Sequence, residues 1–189
     1  MNKLINDLEK FIPFNEQEQK DKELILKLIK EEQIFSRDNK SCHFTSSAWV
    51  VSPDFKKVLM VYHNIYNSWS WMGGHADGER DLLKVAIKEV KEESGLKHLE
   101  VLSPEIFSLE VLCVDGHVKK GNYVSSHIHL NVTYLLMAPL SDELAIKPDE
   151  NSGVEWIDLN DIDQRVTEEW MKKRIYSKLT KKVELFSKR

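Results

Sequence analysis

Apolar residues recur along this chain with two periods, one helical and one of two. Residues 2–11 and about 16–35 carry the helical spacing on either side of Pro13, and Leu24, Ile25, Leu28 and Ile29 make a stripe amid Glu and Lys in the second run. Residues 45–52 and 57–63 read as strands of a hairpin turned at Pro53-Asp54. From Asp81 to Ser94 the helical period returns: Leu82, Leu83, Ala86, Ile87 and Val90 form one stripe, and Lys84, Lys88 and Lys91 fall on the far side. Residues 106–115 and 126–138 read as longer strands separated by a polar, glycine-containing loop at 116–125. A short strand at 154–157 and a mixed apolar and basic helix over about 160–187 complete the chain. Strands interleaved with helices predict a mixed sheet with helices on both faces. The stripe at 24–29 is expected to pack on the domain or on a second subunit, so a homodimer is a candidate assembly.

The strand at 126–138 alternates. His127, His129, Asn131 and Thr133 share one face, and Ile128, Leu130, Val132 and Tyr134 share the other. The polar face either lines a cleft, where imidazoles could meet a phosphate, or simply faces water.

Composition narrows the classes of function. The 189 residues contain 41% hydrophobic and 31% charged positions, as in a globular chain of one domain with an extension. A formal net charge of −4 gives no support to general nucleic-acid binding. Cys42 and Cys113 form no metal-binding pair pattern, residues 1–10 are polar and charged, and no apolar run reaches membrane-spanning length. The expectation is a cytoplasmic protein without nucleic-acid or membrane partners.

Chemistry concentrates between residues 73 and 96. Glu89, Glu92 and Glu93 stand at i, i+3 and i+4, on one side of the helix and at the edge of its apolar stripe. Three like charges there repel and lose hydration unless a cation joins them, and Mg²⁺ or Mn²⁺ would relieve the repulsion. A solvated Glu/Lys face is the competing reading of such a helix. The loop before it shifts the balance, because Gly73, Gly74 and Gly78 are three of seven glycines in the chain. Glycine permits close backbone approach, and a glycine-rich turn into a helix suits a phosphate.

These residues resemble the Nudix box, G-x5-E-x7-R-E-U-x-E-E-x-G-U, over residues 74–96. Gly74, Glu89, Val90, Glu92, Glu93, Gly95 and Leu96 match; Arg80 stands where the first Glu is expected, Lys88 where Arg is, and Glu79 is one residue early. Trp69-Ser70-Trp71-Met72-Gly73-Gly74-His75-Ala76-Asp77-Gly78 and His43–Val51 resemble a bacterial subgroup of the same family. The resemblance implies an α+β fold, a Nudix-type α/β/α sandwich with a mixed β-sheet. An N-terminal helical extension (1–40) would precede a Nudix domain (41–189). It also implies a metal-dependent pyrophosphohydrolase acting on a diphosphate linkage in a phosphorylated small molecule such as a nucleoside diphosphate derivative, with Mg²⁺ or Mn²⁺ as cofactor.

On this reading Glu89, Glu92, Glu93 and the Gly73 carbonyl hold the metal. Glu92 or Glu150 is the catalytic base, Glu150 standing six residues before Trp156 as in many family members. Gly74, His75, His127, His129 and Trp71 are candidates for substrate binding; Glu155, His43, Trp49 and Trp69 rank below them. The alternative is a non-hydrolysing module that binds a nucleotide or metabolite, suggested by the cations at 80 and 88. An isopentenyl diphosphate isomerase is disfavoured, because no Cys precedes Gly74-His75.

Overall fold

The computed structural model describes residues 2–119 and 121–188. Helices α1 (Asn2–Lys10) and α2 (Glu16–Leu28) precede strand β1 (Cys42–Val51), which pairs with β2 (Lys57–His63) and β4 (Met72–His75) antiparallel and with β9 (His127–Met137) parallel. Strand β3 (Ser68–Ser70) flanks β2, and β10 (Asn151–Asp158) closes that edge. On the other side β5 (Glu100–Val101) and β6 (Ser108–Val114) both pair with β9. The main sheet is mixed and eight-stranded, and β7 (His117–Lys119) with β8 (Asn122–Val124) makes a separate hairpin inside the expected loop at 116–125.

Alternation along the strands sends the two faces into two cores. Phe44, Ala48, Val50, Leu130, Val132 and Leu136 face one way, onto Leu82, Ala86 and Val90 of α3 (Leu82–Ser94) and onto Leu4, Leu8, Ile25 and Ile29 of the first two helices. Trp49, Val51, Met60 and Leu135 face the other way, onto Ile175, Tyr176, Leu179 and Val183 at the C-terminus. Helices therefore cover both faces, as the periodicity predicts. The 24–29 stripe is occupied within the chain itself: Ile25 and Ile29 are buried in the first core.

Two helical expectations are corrected. The run at 16–35 is helical only to Leu28; Gln33 then takes a left-handed conformation (φ 55°), and Ile34 and Phe35 turn inward as core residues. The expected helix at 160–187 is broken into α4 (Ile162–Arg165), a π-helical stretch at Met171–Tyr176 and α5 (Ser177–Phe186). Extended backbone at Val166 ends α4, and the Thr167 N–H donates to Ser68 Oγ at 3.0 Å. In the π-helical stretch Tyr176 is fully buried, its hydroxyl 3.2 Å from Ser70 Oγ. No helix among the described residues is long and apolar enough to cross a membrane.

Candidate active site

Helix α3 starts at Asp81, whose side chain accepts the Lys84 N–H, and ends at Gly95 in the left-handed region. Glu79 supports the same start, accepting the Arg80 and Asp81 N–H groups at 2.9 and 3.1 Å and pairing with Lys84 Nζ at 2.6 Å. Those bonds hold its carboxyl at about 2, well below the usual range. Glu79 thus makes the loop contacts through a position one residue early, while Arg80 lies over the Phe35 ring at 5.8 Å.

Gly73 and Gly74 belong to β4, paired with Ser47 and Ser46 of β1, and their value is space rather than positive φ. A Cβ at Gly73 would collide with Ser47 Oγ and the Ser46 carbonyl; one at Gly74 would reach Glu89. The closeness brings strand and helix together. Gly73 donates its N–H to Glu93 Oε1 at 3.0 Å, and Asn151 Nδ2 donates to the Glu93 carbonyl at 2.9 Å. That second bond pins the start of β10, and with it Glu150, against the end of α3.

As a result Glu89, Glu93 and Glu150 each offer a carboxylate oxygen within 4.8 Å of the others. Glu93 is buried, and burial, aided by Glu150 and Glu89 against the Gly73 N–H, pushes its carboxyl up to about 8. A carboxylate crowd of this kind fits a hard divalent cation. Glu92 lies outside the group, exposed between Lys88 Nζ (3.4 Å) and Lys147 Nζ (3.5 Å). Lys88 also bonds Glu89 Oε1 at 3.0 Å, and Lys147 reaches Glu150 at 3.0 Å.

The polar face of β9 splits in two. Asn131 and Thr133 are buried and committed to structure: Asn131 accepts from Thr45 and Ser47 at 2.9 Å and donates to Glu110 at 2.9 Å. Glu110 belongs to a buried charge network with Lys178 (2.9 Å), which also meets Glu18 at 3.1 Å. Burial opposes the Lys178 charge, but the two carboxylates outweigh it and hold its pKa above the ordinary lysine range. Sequence reasoning missed Glu18, Glu110 and Lys178, since each sits in an ordinary amphipathic run. The expectation of either cleft or solvent for Asn131 and Thr133 gives way to this interior network.

His127 and His129, by contrast, gather with His43 and His75 at the other end of the face. Trp71 is not brought to this opening; it is buried edge-on against Tyr176, as Trp49 is buried in stacking. Glu155 pairs with Arg165 at 2.6 Å, whose guanidinium lies 5.0 Å over Trp69.

Residues 43–179 match the family model described as the NUDIX domain, and the chain belongs to the Nudix hydrolase family. No curated protein matches it. Among solved structures, a C. elegans Ap4A hydrolase in a binary complex superposes with a TM-score of 0.54 at 19% identity, over 76% of this chain and 96% of that one. A NUDIX-family hydrolase from Clostridium perfringens gives a TM-score of 0.54 at 22% identity, over 76% and 97%. An ADP-ribose pyrophosphatase from Streptococcus suis gives 0.52 at 20% identity, over 76% and 90%. At these identities the likeness establishes the fold.

Proposed function

We propose that the chain is a divalent-cation-dependent pyrophosphohydrolase that cleaves a phosphoanhydride linkage in a nucleoside diphosphate derivative or a related diphosphate. The observation that carries this reading is the convergence of Glu89, Glu93 and Glu150, one of them buried and holding its proton to about pH 8. Such a group is poorly matched to water and well matched to Mg²⁺ or Mn²⁺. When bound, the cation would neutralise phosphate oxygens and acidify the attacking water.

The chain's own groups carry the remaining tasks. Glu89 and Glu93 hold the cation, with Glu93 tied to β4 through the Gly73 N–H. Glu150 is the base of choice, because its carboxylate lies with Glu89 and Glu93 whereas Glu92 lies outside that group. It takes the proton of water as the new P–O bond forms and the bridging P–O bond breaks, leaving two phosphate-ended products. Lys88 and Lys147 stand at the rim of the group, where they would meet the outer phosphate oxygens.

The test is phosphate and monophosphate release from nucleoside diphosphate derivatives, dinucleoside polyphosphates and nucleoside triphosphates with Mg²⁺ or Mn²⁺, beside Glu93→Gln and Glu150→Gln. Metal-dependent turnover reduced by about 10²–10⁴-fold in the variants is expected. Calorimetric binding of a compound from that panel without any product would overturn the hydrolase reading in favour of a binding module.

A further inference from the structure

We propose that His43, His75 and His129 form a second metal site, of the zinc class, separate from the carboxylate group and flanked by His127. Three strands deliver these side chains to one face of the sheet. His43 of β1 stands opposite His129 of β9 in parallel register, and His75 of β4 stands opposite Thr45, two residues along β1 from His43. Their ring centroids lie 4.9–5.1 Å apart, and each offers a ring nitrogen within 4.8 Å of the others. In a tetrahedral zinc site neighbouring imidazole nitrogens are about 3.3–3.4 Å apart, so a small inward shift of the rings completes the geometry.

The hydrogen bonds assign the tautomers. His43 Nδ1 lies 3.0 Å from the Asn39 carbonyl oxygen, which can only accept, so Nδ1 carries the proton and the lone pair is on Nε2. That Nε2 is buried and has no hydrogen-bond partner, in a side chain only 4% exposed. His127 Nδ1 likewise donates to the Ser125 carbonyl at 2.9 Å, and the Nε2 atoms of His127 and His129 stand 3.1 Å apart, sharing one proton between them. An imidazole whose outer N–H is held by a backbone carbonyl is oriented as metal-bound histidines are.

The chemistry also decides between ligands. The inward, unpartnered Nε2 lone pair of His43 repels a phosphate and attracts a cation. Imidazole nitrogen suits Zn²⁺ and neighbouring transition metals, whereas Mg²⁺ takes oxygen donors, none of which belongs to this trio. His75 follows Gly74 on β4 and turns to the opposite face of the strand from the one Glu89 approaches, so the two sites share no ligand.

The full chain is titrated with Zn²⁺ against a chromophoric chelator with Mg²⁺ saturating, and the zinc-loaded protein is examined by X-ray absorption. One zinc equivalent with the scattering signature of about three imidazoles is expected. His75→Ala and His129→Gln should each weaken zinc binding by at least about 100-fold, while Glu93→Gln leaves it unchanged within about twofold. His75→Ala serves alone where His129→Gln fails to fold. No saturable zinc, an oxygen-only shell, or zinc binding lost in Glu93→Gln and kept in His75→Ala would each overturn the proposal.

Discussion

Gly74 and Glu89 leave no room between them: a methyl group at residue 74 would stand 2.5 Å from Glu89 Cδ and 2.8 Å from its Oε2. Gly74→Ala must therefore drive the Glu89 carboxyl off its position or part β4 from α3. The expected outcome is a folded protein whose Mn²⁺ affinity falls at least about tenfold, a loss of roughly 1.4 kcal/mol. Electron paramagnetic resonance of free Mn²⁺ reads this directly, and wild-type affinity in Gly74→Ala would show that Glu89 does not hold the ion.

The buried Glu93 makes stability depend on pH in a stated direction. An unfolded glutamate ionises near 4.5, whereas the folded one keeps its proton to about 8. Between those values the folded chain binds more protons than the unfolded chain, so stability falls as pH rises, by up to about 1.4 kcal/mol for each pH unit. Below 4.5 the contribution vanishes, and above 8 the cost is constant. Urea unfolding at pH 5, 6.5 and 8 in the presence of a chelator should show this slope in wild type and a flatter one in Glu93→Gln. Equal slopes would contradict the burial argument.

Lys178 sits between Glu110 and Glu18 with its side chain 2% exposed. Lys178→Met leaves both carboxylates facing each other and short of a partner, and Lys182, 3.0 Å from Glu18, compensates only one of them. A destabilisation of about 3–5 kcal/mol is expected by chemical denaturation. Replacing Glu18, Glu110 and Lys178 together by apolar residues should recover much of it, because the pairing balances a desolvation that the triple variant never incurs.

Asn151 holds the late loop to the Nudix helix through the Glu93 carbonyl at 2.9 Å, and its Oδ1 accepts the Lys147 N–H at 3.2 Å. Asn151→Leu leaves two backbone groups unpaired, one of them buried with the helix end, at a cost of about 1–3 kcal/mol. Glu150 would then be held less closely to Glu89 and Glu93. Turnover falling more than substrate affinity would mark Asn151 as a positioning residue; unchanged turnover in a folded variant would remove it from that role.

The distribution of residues by period was enough to foresee the two-sided sandwich, the Nudix helix at 82–94 and the three glutamates on it. Those features are local: a period of 3.6 or 2, a cap and a glycine stop all act over a few residues. Which glutamates meet is not local. Glu92 shares the helix side with Glu89 and Glu93, yet β10 brings Glu150 into the group and two lysines draw Glu92 outward. The C-terminal run breaks at Val166, where the Thr167 N–H goes to Ser68, a residue about a hundred positions away, rather than to a helix carbonyl.

By itself, then, the sequence determined most of the elements, their apolar faces and the presence of an acidic helix behind a glycine-rich segment, because each follows from short-range periodicity and sterics; that segment read as a loop, and its pairing with β1 makes Gly73 and Gly74 part of strand β4. Only the tertiary structure decided how strands distant in the chain lie in register. That register buries Glu18 and Glu110 around Lys178, closes Glu150 on Glu93, and sets His43, His75 and His129 together on one face. These juxtapositions depend on contacts far apart in the chain, β1 with β9 across more than eighty residues for His43 and His129 and Asn151 with Glu93 for Glu150, and no spacing along the chain encodes which side chains such contacts will place face to face.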